Sequence, residues 1–530
     1  MSAKMRLEEG IQNWRQTMEK AFAIPISRRD FMKLAGLTAA SSLLGIKDDA
    51  AKAEAAPPAI SALDYSKANL PILFNVDVCV VGGGSAGTAA AVTAARKGAK
   101  VVLVERGISL GGLATQGCVY PCMPTFIDGS DTPYIKDLNR RMEKQGVSPF
   151  QDVEDSATFY GGGRGRYIPE YLAFVYDEMC EEAGVDILYN ATLVGAVTDG
   201  GRIDNCVVQT IEGPGRIQAK VFVDATGDAL LSRLVGVTAE RGSEKTGRNQ
   251  PMTLRFEMGG IDAPKVHHFF RDDLKDGWKT ARGEKVLAKA LKEGRFPFVE
   301  FDKMKTTEKF FQGGVARGEL TEDDILYIQA FTIPGKTGVM SMNCPEMPPL
   351  SFSSTDAVSI SRAVTFGRRM MRRLAGFFIK NIPGFEKAYI SREASMVGVR
   401  ESWRIRGKYY MEADDYLKAH HFPDGVCRTA YPIDIHDVKL DYFEKLKKGQ
   451  YYEIPYRTLV TNEISNLLVA GRCASGSFAA QASFRIQPTC MSMGEAAGIA
   501  AAWGISHGIE ANALRWEDIP AEERSYVSEG

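Results

Sequence analysis

The chain has nine cysteines, and no two stand at C-x-x-C spacing. That excludes the thiolate framework of a ferredoxin-type iron–sulfur cluster or a zinc ribbon, and no metal site is expected. Net charge is only −1, and no basic stripe interleaves with aromatic residues, so nucleic acid is not an expected partner. Internal repeats and low-complexity tracts are absent, and there is one complete dinucleotide fingerprint rather than two. What remains is the composition of a soluble globular protein, 45% hydrophobic and 25% charged over 530 residues, long enough for two or three domains. Cys79 and Cys180 read as small buried hydrophobes. Cys118 and Cys122, four apart, read as packed thiols in preference to a disulfide or redox pair.

The most informative stretch is Val76-Asp-Val-Cys-Val-Val-Gly82-x-Gly84-x-x-Gly87, followed by an Ala-rich segment to Lys97 and a second apolar run, Val101 to Val104, ending on Glu105. Strand, glycine turn, helix, strand and acid form the context that a dinucleotide site requires. Gly82 permits the tight turn, Gly84 lets backbone approach a pyrophosphate, and Gly87 lets the helix lie close on the strand. Ser85 and Ala86 open that helix, whose free N–H groups face the phosphates. Glu105 can accept hydrogen bonds from ribose hydroxyls. Gly111 and Gly112 follow within ten residues, in Gly111-Gly-Leu-Ala-Thr115. NAD does not need such a pair. A longer cofactor does, because backbone without Cβ must lie against a ribityl chain and flavin ring.

Residues 27–33, Ser-Arg-Arg-Asp-Phe-Met-Lys, precede a mildly apolar stretch, Leu34 to Ile46, and a small-x-small site at Ala51-Lys-Ala53. This resembles a twin-arginine export signal. The apolar stretch is too short for an ordinary transmembrane helix. Residues 1–53 are therefore expected to be cleaved, with 54–71 a linker. The twin-arginine translocase would then be a transient partner, and the mature chain would work in the periplasm with no stable membrane span after cleavage; the alternative is a retained signal that anchors it at the membrane.

Residues 72–240 read as the first part of a cofactor domain. Pro169 to Ala183 has helical periodicity, a Gly-Pro-Gly hairpin is expected at 213–215, and Val221-Phe-Val-Asp-Ala-Thr-Gly-Asp228 reads as a buried strand entering a glycine turn. From 241 to 350 the β/α rhythm breaks, as expected of an inserted mixed α+β substrate domain. Residues 351–450 read as a helical cap, whose helix from Asp356 to Ile379 presents Arg368, Arg369, Arg372 and Arg373 as a solvated or salt-bridged face. Residues 451–515 return to β/α style with the strand and glycine turn Leu467 to Arg472 and a small-residue helix, Gln487 to Ala502. A tail, 516–530, follows. The fold class is α/β, with a discontinuous Rossmann-like domain.

These residues together resemble the bacterial FAD-dependent oxidoreductases of the glutathione-reductase-like two-domain fold. The matching motifs are Gly82-x-Gly84-x-x-Gly87, Glu105-Arg106 with Gly111–Thr115, Val223–Asp228, Gly398-Val-Arg-Glu-Ser402, Tyr431-Pro-Ile-Asp-Ile-His-Asp437, Ile454-Pro-Tyr-Arg457, Val469-Ala-Gly-Arg472 and Gln487–Gly494. The resemblance implies FAD, its pyrophosphate over Gly82–Gly87, its adenosine ribose on Glu105 beside Arg106, and its ribityl–flavin end passing Gly111, Gly112, Leu113, Ala114 and Thr115. It further implies contacts from Ala225, Thr226, Gly227 and Asp228, from Gly471 and Arg472, and from Thr489 and Met491 at a helix start aimed at the pyrimidine side of the ring.

For the chemistry, His436 is the best acid/base candidate, since it sits between Asp434 and Asp437. Arg400 and Arg404 flank Glu401 at near-helical spacing and would either grip an anionic substrate as planar forks or brace an interface. Arg457 and Arg485 stand under the same two readings. The leading expectation is an exported FAD enzyme that dehydrogenates or reduces a small organic substrate and exchanges electrons with a quinone or haem protein. The alternatives are a saccharide lyase or hydrolase that oxidises its substrate transiently, and a flavin electron-transfer subunit docked to a cytochrome.

Overall fold

Sheet pairing begins at Ile72, opposite Arg216, and from Val78 to Val81 the strand is an apolar run buried throughout. The computed structural model describes residues 65–120, 122–145, 167–270, 274, 300–302, 307–333, 335–436 and 445–528. The twin-arginine stretch, its cleavage site, most of the linker and Asp437 lie outside the described residues. Strand β1 (Ile72–Val81) has Val78, Cys79 and Val80 fully buried, as a central parallel strand requires. Glycine turns it into helix α1 (Ser85–Arg96), and the chain returns as β2 (Val101–Val104), parallel to β1 with Val81 opposite Val104. Helix α2 (Pro133–Lys144) follows. Helix α3 (Pro169–Ala183) opens on a proline and is stopped by Gly184 in the left-handed conformation. Then come β3 (Val185–Leu188), β4 (Thr192–Asp199), β5 (Arg202–Thr210) and β6 (Gly213–Asp224), in the order β3-β2-β1-β6-β5-β4. The expected hairpin is one step earlier than 213–215. Thr210 pairs with Gly213, so Ile211 and Glu212 form the turn and Gly213–Gly215 belong to β6.

A second, wholly antiparallel sheet holds β7 (Phe256–Gly259), β8 (Glu300–Asp302), β9 (Gln329–Thr332), β10 (Met340–Met342) and β11 (Tyr389–Glu393), ordered β11-β7-β10-β9-β8. Helix α4 (Ala357–Asn381) starts at Asp356, whose carboxylate accepts the Ser359 N–H at 2.6 Å. Its buried stripe of Ala363, Met371, Leu374 and Phe378 shares one core with Phe256, Met258, Met340 and Met342. Residues on both sides of position 350 thus pack into a single unit. On the outer face of α4, Arg368 meets Glu393 at 2.7 Å, and Arg373 grips Asp324 with two 2.8 Å bonds.

The chain then returns to the first sheet. Strand β12 (Leu467–Val469) pairs parallel with the far half of β6, Val469 opposite Asp224. Helix α5 (Gln487–His507) lies on α1 at backbone contact. A Cβ on Gly494 would stand 2.0 Å from the Ala86 carbonyl oxygen, and one on Gly498 2.5 Å from that of Ala90. Two glycines four apart clear one helix face, which is why this helix is lined with small residues. The fold is α/β, with a Rossmann-like FAD domain closed by residues far downstream. None of the described helices is long and apolar enough to cross a membrane.

Candidate active site

Two glycine segments meet at the carboxyl ends of β1 and β2. Gly82 has φ +103°, and a Cβ there would sit 2.5 Å from the Ala225 carbonyl oxygen. Gly87 presses on Gly82 more tightly still, at 1.8 Å for a Cβ. The Gly111 N–H donates to the Gly83 carbonyl at 2.7 Å, and a Cβ on Gly112 would reach Gly84 Cα at 3.2 Å. Gly84 itself is different, because its Cβ would meet no protein atom within 4 Å. The backbone has been cleared there for something other than protein.

Glu105 is 4% exposed and accepts from two main-chain donors, Gly83 N–H at 2.8 Å and Gly107 N–H at 2.7 Å. It therefore braces the turn, and its remaining lone pairs are free to take ribose hydroxyls. Arg106 is exposed, and its charge favours the Asp228 carboxylate. Leu113 lines the cavity described below, whereas Ala114 and Thr115 are buried behind it. Thr115 Oγ1 donates to the Leu110 carbonyl at 2.5 Å, so this threonine shapes the loop.

After β6, Thr226 Oγ1 caps Asp224 at 2.7 Å and Gly227 takes φ +74°. Asp228 then meets Arg472 Nη2 at 2.8 Å and the Ser402 hydroxyl at 2.6 Å. Burial disfavours its charged form, but Arg472 and Ser402 outweigh that and hold the carboxyl below its usual range. Gly471, φ +89°, is packed on Ala86. At the start of α5, Thr489 and Met491 are buried, and Thr489 Oγ1 has no hydrogen-bond partner. The first N–H groups of that helix have no acceptor of their own. A glycine cradle with room beside Gly84, two open helix starts and an orphaned hydroxyl fit a long anionic dinucleotide. These residues would hold FAD.

A cavity of about 1110 Å³ opens from this end. One wall carries Leu113, Arg472, Ile486 and Gln487 from the cofactor side, and the opposite wall carries Tyr327, Gln329, Phe331 and Asn343 from the second sheet. His436, Arg400 and Arg485 also line it. His436 Nε2 lies 3.4 Å from Asp434, its sequence neighbour, and Nδ1 lies 3.0 Å from Glu346, which no local motif indicates. The Tyr327 ring packs edge-on against the imidazole at 5.1 Å. Burial works against the Asp434 carboxylate, but His436, then Arg485 and Arg400, hold it well below the usual range. Arg400 reaches Glu346 at 3.0 Å and donates at 2.7 Å both to the Pro251 carbonyl and to Thr253 Oγ1.

The structure separates the two arginines paired by spacing. Residues 398–402 are not helical, and Trp403–Ile405 is a strand, so positions 400 and 404 do not share a helix face. Arg404 is 1% exposed and outside the cavity. It is ion-paired with Glu401 and donates to the Gly476 carbonyl at 2.9 Å and the Gly242 carbonyl at 3.1 Å. It is a brace. Arg457 is likewise clamped on Asp424, at 2.8 and 3.0 Å, while Arg485 lines the cavity and meets Asp434 at 3.2 Å. All nine cysteines are free thiols, Cys118 and Cys122 included, and no metal-binding cluster occurs among the described residues. Sequence reading missed Arg255, Tyr327 and Glu346. The usable signal for the first was Arg255 and Glu257 alternating with Leu254, Phe256 and Met258, two charges inside an apolar run.

The digeranylgeranylglycerophospholipid reductase of Methanoculleus marisnigri is 25% identical over 168 residues, 31% of this chain and 42% of that protein. The digoxin reductase of Eggerthella lenta is 40% identical over 95 residues, 16% of this chain and 17% of that protein. The chain thus spans less than half the length of either relative. Among solved structures, p-nitrophenol 4-monooxygenase from Pseudomonas putida superposes with a TM-score of 0.42 at 11% identity, covering 84% of both chains. A family model described as FAD dependent oxidoreductase matches residues 77–522, most of the chain. The chain belongs to that family of FAD-using enzymes.

Proposed function

We propose that this enzyme dehydrogenates or reduces a small organic substrate outside the cytoplasm, exchanging the electrons with a quinone or a haem protein. FAD, when bound, supplies hydride or electron transfer at its N5. The protein's own part is to seat the substrate and move a proton. The observation that carries this reading is a cavity lined both by cofactor-side residues and by His436. With Glu346 at one ring nitrogen and Asp434 near the other, the imidazole is oriented and can take up or deliver a proton at the substrate. Tyr327, Phe331 and Ile433 give part of the lining an apolar surface.

The export half of the proposal rests on Arg28 and Arg29, and the electron partners follow from it, because NAD(P)H is scarce outside the cytoplasm. The test is anaerobic mixing of the purified holoenzyme with candidate substrates while the flavin band is watched. Bleaching with net oxidised product supports the proposal. Bleaching that reverses with no net redox change would instead indicate a lyase or hydrolase of saccharides. No turnover alone, with stable copurification of a cytochrome, would indicate an electron-transfer subunit. Replacing both Arg28 and Arg29 by lysine should leave the protein in the cytoplasm, and unchanged export would remove that half.

A further inference from the structure

Four arginines line the cavity, and three of them have a carboxylate. Arg400 has Glu346 at 3.0 Å, Arg472 has Asp228 at 2.8 Å, and Arg485 has Asp434 at 3.2 Å. Arg255, just before β7, is the fourth. It is 3% exposed, and among the described residues no carboxylate lies within ion-pair distance of it. Its Nη2 donates to the Tyr120 carbonyl at 2.6 Å, and its buried Nε has no acceptor. Burial pulls its pKa down to about 10, with the thiol of Cys118 and the hydroxyls of Tyr327 and Tyr167 among its neighbours. It still carries a full charge at neutral pH.

A buried cation without a counter-ion is strongly unfavourable, and folds retain one where a ligand supplies the missing charge. Planar guanidinium matches a carboxylate in particular. The surroundings suit the same guest. Gln329 Oε1 is already taken by the Tyr327 hydroxyl at 2.9 Å and the Asn343 amide at 3.0 Å, so it does not oppose an anion. Lys445, Lys447 and Lys448 are exposed on the cavity lining and add positive charge along an approach path. Phe331, Met123 and Val119 offer apolar surface to a carbon skeleton.

We infer that the cavity takes an organic carboxylate, with its carboxyl group on Arg255. This rests on the cavity being the substrate site. The same charge could instead serve the reduced cofactor, whose ring carries negative charge, so the test separates the two sources.

The experiment titrates oxidised holoenzyme with acetate, benzoate, cinnamate and succinate, and in parallel with the matching amides. Flavin absorbance and thermal shift are both recorded. At least one acid should perturb both signals saturably, and its amide should not. Arg255→Gln should weaken that acid by at least about 30-fold at unchanged flavin content, and Arg255→Lys should recover part of the loss. Should Arg255→Gln not fold, the acid-against-amide comparison on the wild type and the lysine variant still decide. The inference is overturned if no acid of the panel binds, if acid and amide bind alike, or if Arg255→Gln binds the acid as the wild type does. A variant whose flavin midpoint potential shifts while acid binding is kept would give the arginine to the cofactor and also overturn it. Failure of the proposed redox function reads differently, as an enzyme that binds the acid through Arg255 yet turns over no substrate.

Discussion

The cradle for the cofactor and the cavity beside it share Leu113 and Arg472, yet they are built from opposite materials. Along the cradle the protein offers main chain and absence of side chain, with glycines lying close on carbonyls, on one another and on alanine. Around the cavity it offers charged and aromatic side chains from distant segments, with ion pairs that leave one buried arginine over. Backbone shape suits a large cofactor of fixed structure. Side-chain charge suits a guest that must be told apart from others and that must react.

The comparison breaks most visibly at two glycines. A Cβ at Gly84 would meet no protein atom within 4 Å, so Gly84→Val should fold with a melting temperature near that of the flavin-free wild type but purify almost colourless. Gly87→Val must collide with Gly82 and should fail to fold. Flavin-to-protein absorbance and thermal denaturation check both, and a yellow Gly84→Val protein would sink the assignment of the cradle. His436→Gln tests the cavity side. Turnover should fall by about 10²–10⁴-fold with flavin content unchanged, measured by anaerobic stopped flow.

Arg404→Met probes a charge that belongs to neither function. Burial pushes the Glu401 carboxyl up, and Arg404 is the largest opposing influence. Loss of the arginine should therefore cost about 3–5 kcal/mol of stability while leaving substrate affinity as it is. Denaturant unfolding together with anaerobic titration would show whether both halves hold. Glu495, on α5 under the cradle, gives the smallest effect. Burial raises it to about 7, opposed by the nearby Thr132 hydroxyl and the hydrogen bond from the Tyr134 N–H. Between the ordinary carboxyl value of 4.5 and about 7 the folded state keeps a proton that the unfolded chain has lost. Stability should therefore be highest below that window, fall as pH rises through it by at most about 3 kcal/mol, and level off above. Glu495→Gln should flatten this slope and be the more stable protein at pH 8.

Legibility followed the same division. Gly82–Gly87, Glu105, Gly111–Gly112 and the strand at Leu467 were readable because each acts through local conformation or periodicity. The pairing of Arg400 with Arg404 was not. They stand only four residues apart, but the chain there is not helical, so one side chain lines the cavity and the other is a buried brace. Glu346 at His436 was invisible for the same reason, being ninety residues away in a segment with no motif.

By itself the sequence determined the cofactor class, the order of the elements around it and the candidate histidine, since backbone clearance and strand–turn–helix spacing are properties of contiguous chain. Only the tertiary structure decided which charges face the cavity and which are already neutralised. Electrostatic pairing depends on separations of a few ångströms between residues that may be adjacent or hundreds of positions apart, and folding alone sets those separations.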